Sequence, residues 1–188
     1  MKVILASASP RRRELLAQIF PDFEVAISNV DEDSLTVDDP WETAKSLALA
    51  KAGAIARLNP AALVIGGDTV VALDAHQLAK PTDEEDARAM LRRLSGNTHS
   101  VITGVALVLD GMTDVFCETS RVTFRGLSEE EIATYVATGE PMDKAGAYAI
   151  QGGAQGFVAN LEGSVTNVIG LPMEALSAHL RDAGVYPD

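Results

Sequence analysis

Cysteine is nearly absent: Cys117 stands alone in 188 residues. That excludes an intrachain disulfide and any cysteine-rich metal site. Histidine is almost as scarce, and His76, His99 and His179 lie far apart in the chain, so a histidine zinc site is not expected. Aromatic residues make up 5%, and alanine carries much of the apolar content, which points to close helix packing rather than aromatic platforms. Positive charge is the other deficit. The 15 lysines and arginines face 27 aspartates and glutamates, a formal net charge of -12. Nucleic acid and anionic membranes both reward a positive surface, so no stable nucleic-acid binding and no membrane partner are expected. No uncharged apolar run reaches membrane-spanning length, and the run Val3–Ala8 is too short for a signal-peptide core. A cytoplasmic protein follows as the expectation.

What remains is ample for a core. The chain is 47% hydrophobic, and no repeat, low-complexity run or linker divides it, so one domain over residues 1–188 is expected. "KVILASAS" reads as a buried strand and loop, with Ser9 capping a helix that has Pro10 first and Leu15, Leu16 and Ile19 on one face. "FEVAISNV" reads as a second strand and "DEDSLTVDDP" as a charged loop. Asp39 and Pro40 open a long helix with an apolar stripe of Ala44, Leu47, Ala48, Ala52, Ile55 and Leu58. "AALVIGGDTVVALD" is a buried strand, and Thr82 with Glu85 reads as a capping box for the next helix. "HSVITGVALVLDG" and "DVFCETSRVTF" form a hairpin through Asp110–Gly111. Ser128 and Glu131 make a further capping box, "FVANLEG" a late strand, and an amphipathic helix runs from about Pro172 to near Gly184. Alternating strands and helices followed by a hairpin imply an α/β fold on a mixed sheet.

Some polar residues stand where they are costly. Arg11, Arg12 and Arg13 crowd the first turn of a helix, the end already partially positive. Arg11 and Arg12 precede Leu15 and Leu16 by three to four residues and so lean toward the packed face, whereas Arg13 points away. A bound phosphate would reverse the penalty, because backbone N–H groups and guanidinium forks can hold it together; the alternative is a solvated cluster paired with nearby acids. Lys51 lies inside the apolar stripe of the long helix. Its stem either snorkels to solvent or ends at the rim of a ligand cleft. Asp68 and Thr69 interrupt an apolar strand, where a carboxylate is costly unless paired or bound to metal. Either the strand bends into solvent there, or Asp68 holds a cation beside a phosphate, with Asp31, Glu32 and Asp33 able to reach the same ion. Gly66 and Gly67 permit a bulge or a close approach. Lys80 can present an ammonium to phosphate. Cys117 reads as a packed residue, His76 as a turn residue and His179 as a late helix surface residue. Walker, dinucleotide-binding and nucleophile-elbow patterns are all missing.

These stretches resemble one family. "ILASASPRR", "DEDS", "LALAKA", "GGDTVV", "AKPTDEEDA", "LSGNTHSVITGVAL", "GEPMDKAGAYAIQG" and "GSVTNVIGLP" follow in the order of the Maf nucleotide pyrophosphatases, from about Lys2 to Leu180. The resemblance implies an elongated mixed sheet flanked by helices, with two lobes around a deep cleft. It implies hydrolysis of nucleoside triphosphates to monophosphate and pyrophosphate with Mg2+, Mn2+ or another divalent cation, and it suggests a homodimer. Carried over by motif, Ser7, Arg11 and Arg12 bind phosphate, Glu32 and Asp68 manage metal and water, and Lys51 and Lys80 hold the polyphosphate. "GDTVV" with "GAYAIQG" resembles the branch acting on dTTP and UTP, which makes Thr69 and Gln151 the base-recognition residues. The branch similar to methylated-GTP pyrophosphatases differs at Thr69 and at Ala147–Tyr148, and a nucleotide sensor that barely hydrolyses is the alternative of another class. Ala8, Ala79, Ala149, Val165 and Thr166 depart from the usual family residues, and none of them removes a charged group.

Overall fold

The apolar runs assemble into one mixed sheet with helices on both faces. The computed structural model describes residues 1–187; Asp188, the end of the expected domain, lies outside the described residues. The strands are β1 (Val3–Ala6), β2 (Glu24–Val25), β3 (Leu63–Leu73), β4 (His76–Leu78), β5 (Thr98–Leu109), β6 (Met112–Phe124) and β7 (Val158–Glu162). Their order is β2-β1-β3-β5-β6-β7, with β4 pairing on β3. β1 runs parallel to β2 and β3, and the remaining pairs are antiparallel. The helices are α1 (Pro10–Leu16), α2 (Glu32–Leu35), α3 (Pro40–Ala56), α4 (Glu84–Leu94), α5 (Glu129–Ala137), α6 (Val165–Ile169) and α7 (Met173–Asp182). Among the described residues no helix is long and apolar enough to cross a membrane.

Side-chain alternation along β3 and β5 organises the core. Val64, Gly66, Val70, Ile102 and Ala106 face α3, against Ala44, Ala48, Ala52 and Ile55. The approach is so close that a Cβ on Gly66 would lie 2.4 Å from the Ala48 carbonyl oxygen, and one on Gly104 2.2 Å from that of Ala44. Gly66 is therefore a close-approach site rather than a bulge, and the β3–β5 register runs unbroken from Val64↔Val108 to Ala72↔Ser100. The opposite face carries two apolar clusters. Leu63, Ile65, Val105 and Leu107 pack under α1 and α7 at one end. Val71, Leu73 and Val101 pack under α4, α5 and the segment Ala147–Phe157 at the other. Between these clusters, on the same face, stand Gly67, Thr69 and Thr103.

Several local expectations change. "FEVAISNV" yields only the two exposed residues of β2, since it is an edge strand with β1 on one side alone. The acidic loop contains a helical turn, α2, because the Asp31 side chain caps the Ser34 N–H. Leu58 falls past the end of α3, capped at Arg57, and is 79% exposed. Asp83, not Thr82, caps α4: its carboxylate reaches the Asp86 N–H at 2.8 Å, and Asp86 turns back to accept from Thr82 N–H. The hairpin turn at Asp110–Gly111 and the Ser128–Glu131 capping box form as expected. Cys117 packs against the Ala44, Val70 and Ile102 cluster. His179 is not a free surface residue; it stacks on Phe116 with centroids 3.7 Å apart and bonds Asp114 at 2.6 Å.

Candidate active site

A notch in the sheet edge decides where the site forms. β1 accompanies β3 only as far as Ala6↔Gly66. β4 takes up the same edge only from Val71↔Leu78. Among the described residues that edge of β3 has no strand partner across Gly67–Val70, so side chains from both faces of the sheet can approach around it. The chain leaving β1 enters the notch directly as Ser7, followed by α1.

Arg12 fills the gap between the two apolar clusters. Ser9 caps α1 by accepting from the Arg12 N–H at 3.4 Å, which fixes where the side chain leaves the helix. The Arg12 Nε donates to the Gly170 carbonyl at 2.7 Å, one Nη to Ser7 Oγ at 3.1 Å and the other to Thr69 Oγ1 at 2.8 Å. Among the described residues three of the five guanidinium N–H groups are thereby engaged, which leaves two for a ligand. Gly67 makes room: a Cβ there would lie 3.1 Å from Arg12 Nε. Behind the arginine runs a directional chain. Thr103 Oγ1 donates to the Asn167 carbonyl at 3.0 Å, so Thr69, 2.9 Å away, donates to Thr103 and accepts from Arg12. Asn167 is fully buried and its amide donates to Val101 O and Ser120 Oγ. Burial pulls the Arg12 guanidinium below its ordinary pKa, and the nearby Asp68 and Glu32 carboxylates act against that pull.

The other face supplies the acids. Lys51, on α3, reaches Asp68 Oδ1 at 2.7 Å and Glu32 Oε1 at 3.0 Å. Its side chain is 15% exposed and that of Asp68 13%, against 55% for Glu32. Lys51 therefore stands at a site rather than snorkelling free, and Asp68 is paired rather than bent into solvent. The two carboxylates are hard oxygen donors of the kind Mg2+ and Mn2+ take alongside substrate phosphate. No group of three or more His, Cys, Asp or Glu suited to a metal exists among the described residues, so phosphate oxygens and water would complete the shell. The donor set fits such an ion.

Arg11, Lys80 and Gln151 make no hydrogen bond or ion pair to Arg12, Lys51 or Asp68 among the described residues. Arg11 is half-buried, and its charge acts on Asp143, which its bond to Lys144 already holds below the usual carboxylate range. Lys80 is exposed and follows Ala79, whose carbonyl accepts from the Gly146 N–H at 3.2 Å. Gln151 is exposed and lines a cavity of about 560 Å³ with Ile150, Gln155, Val158, Leu161, Val165 and Ile169. Ile169 immediately precedes Gly170, the acceptor for Arg12, so this cavity adjoins the arginine gap. Thr69 sits on Arg12, and Gln151 sits on the cavity.

A family model described as Maf-like protein matches residues 2–183. The chain belongs to the Maf family. Among Maf relatives, the dTTP/UTP pyrophosphatase of Koribacter versatilis is 50% identical over 185 residues, covering 98% of this chain and 96% of that one. The dTTP/UTP pyrophosphatase of Symbiobacterium thermophilum is 48% identical over 186 residues, covering 99% and 95%. The Ham1 protein of Staphylococcus aureus shares the fold at a TM-score of 0.54 and 18% identity, over 97% of this chain and 100% of that one. Thr103, Asn167 and Gly170 were not singled out as site residues from the sequence. Gly170 contributes a backbone carbonyl, which leaves no side-chain signature to read. Thr103 did leave a signal, as a polar residue inside an apolar strand.

Proposed function

We propose that this chain is a nucleoside triphosphate pyrophosphatase that hydrolyses dTTP and UTP to the monophosphate and pyrophosphate. The carrying observation is that, at the β3 notch, a braced arginine on one face feels the charges of Asp68 and Glu32, which Lys51 pairs from the other face. The names of the Maf relatives support the substrate. The two free N–H groups of Arg12 bind phosphate oxygens, with Ser7 beside them and Arg11, Lys51 and Lys80 offsetting the remaining charge. Asp68 and Glu32 are the residues that would hold a divalent cation, and a bound ion would polarise the phosphate and its water.

In the reaction a water oxygen bonds to the α-phosphorus while the bond from that phosphorus to the α–β bridging oxygen breaks. Asp68 orients the water and accepts its proton, and the bridging oxygen leaves with pyrophosphate. Lys51 holds Asp68 in place from α3 and neutralises it. The base occupies the cavity beside Ile169, where the Gln151 amide offers one donor and one acceptor to the imide edge of uracil or thymine. A homodimer in the cytoplasm is the assembly and location consistent with the family likeness, and sedimentation of the purified chain tests the first.

The test is product-resolved hydrolysis with Mg2+ of dTTP, UTP, CTP, 7-methyl-GTP and ITP. Monophosphate and pyrophosphate should appear from dTTP and UTP ahead of the others. Asp68→Asn should lower kcat roughly 10³-fold, the range for loss of a positioned acid–base group. Diphosphate and inorganic phosphate as products would overturn the reaction, faster turnover of 7-methyl-GTP would overturn the substrate class, and tight binding without turnover would point to a sensor.

A further inference from the structure

The segment carrying Gln151 has little regular structure of its own. Gly146 and Ala147 both take left-handed φ, 71° and 62°, and turn the chain inward. Tyr148 is buried, with its hydroxyl 2.7 Å from His99 Nε2. The Gly152 N–H then donates to the Ala149 carbonyl at 3.1 Å, closing a turn with Ile150 and Gln151 at its corners. Such a turn is mobile unless its legs are held.

Both legs are held by one pair of side chains. The Tyr135 hydroxyl accepts from the Ala149 N–H at 3.0 Å and donates to Glu140 Oε2 at 2.5 Å. The same Glu140 oxygen accepts from the Gly153 N–H at 3.1 Å. Two backbone amides, each two residues from Gln151, are thus tied to a single Tyr–Glu unit. The unit is rigid: Tyr135 is 4% exposed and meets the Phe157 ring edge-on at 5.3 Å. The glycines are shaped to it. A Cβ on Gly152 would fall 1.9 Å from Glu140 Oε1, and one on Gly153 2.9 Å from the Tyr135 ring.

We infer that Tyr135 and Glu140 are positioning residues for base selection, clamping the Ala149–Gly153 turn so that the Gln151 side chain starts from one fixed backbone position at the cavity. The inference rests on Gln151 reading the base. Neither residue touches the reacting phosphate in this scheme, so the clamp sets which nucleotide binds well and not how fast phosphorus is attacked. Because Glu140 works through one oxygen, its role is that of an acceptor of fixed geometry rather than of a charge.

The experiment measures kcat and KM for UTP and CTP, whose base edges reverse donor and acceptor, on wild type, Gln151→Ala, Tyr135→Phe, Glu140→Ala, Glu140→Gln and Gly152→Ala. Tyr135→Phe keeps the ring packing and loses only the hydroxyl. It should raise KM for UTP about tenfold with kcat within about twofold, as expected for loss of a buried hydrogen-bonded restraint. Glu140→Ala and Gly152→Ala should do the same, while Glu140→Gln, which keeps the accepting oxygen, should hold the wild-type preference. Tyr135→Phe added to Gln151→Ala should change the preference no further. If Gln151→Ala abolishes the preference for UTP but Tyr135→Phe and Gly152→Ala retain it, the clamp is overturned and the base-reading role of Gln151 stands. If Gln151→Ala itself keeps the preference, the base-reading role falls and the clamp with it. Equal losses of kcat on both nucleotides in Tyr135→Phe would mark the pair as scaffold only and overturn the inference. Should Tyr135→Phe not fold, the Glu140 pair and Gly152→Ala carry the same test.

Discussion

The two ends of the site are built on different principles. At the proposed phosphate end, charged side chains project from regular elements: Arg12 from α1, Lys51 from α3 and Asp68 from β3. Each is held by an ion pair or by hydrogen bonds from several directions. At the proposed base end the group is an exposed amide on a turn, whose backbone is fixed by Tyr135 and Glu140, while His99 holds the neighbouring Tyr148 hydroxyl. Phosphate is the same in every nucleotide, so a rigid charged frame on the sheet suits it. Bases differ by the placement of single hydrogen-bond groups, and a turn held from outside can be retuned without disturbing the frame.

This contrast can be broken first from behind the phosphate end. Gly104→Ala would drive a Cβ into the Ala44 carbonyl and lift α3, with Lys51 on it, off the sheet. We expect about 3 kcal/mol of lost stability in a denaturant melt, the upper range for overpacking a core. Arg12→Lys tests the frame itself. A lysine cannot engage Ser7, Thr69 and Gly170 and still offer a fork to phosphate, so kcat/KM should fall roughly 10²-fold. The fall should be uniform across UTP, dTTP and CTP, unlike the selective effects expected at the turn; a change in ranking would blur the division of labour.

The smallest effect sharpens the base end. Burial alone pushes His99 down to about 4 from an ordinary value of about 6.5. The unfolded chain takes up a proton near pH 6.5 that the folded chain refuses until near pH 4, so His99 makes stability fall as pH is lowered through that window. Chemical melts at pH 7 and pH 4.5 should show a smaller acid-induced loss for His99→Gln than for wild type, by roughly 1–3 kcal/mol. An equal loss would mean that the Tyr148 anchor does not depend on a neutral imidazole.

Much of the phosphate end was legible because misplaced charge is a local signal. Arginines at a helix start, a lysine in an apolar stripe and an aspartate in an apolar strand each violate a short-range rule; Lys51 pairs with Asp68, whose charge also acts on Arg12. Glu32 was one of three neighbouring acids able to reach the same ion, and only the family resemblance singled it out. At the base end Gln151 was named through the same resemblance, but Tyr135 and Glu140 were not. Their partners are backbone amides of residues 149 and 153, and an amide looks the same at every position. Strand ends and caps were misread where one competing side chain decided them, as Asp83 did over Thr82.

The sequence by itself determined the alternation of strands and helices and the charges that cannot be left unpaired. Those follow from periodicity and solvation, which act over a few residues. Only the tertiary structure decided that β1 pairs along β3 no further than Gly66 while β4 pairs with it only from Val71, opening the notch where both faces meet. That gap comes from the register between strands some 60 residues apart in the chain, and register is settled by packing the whole sheet, not by any stretch within it.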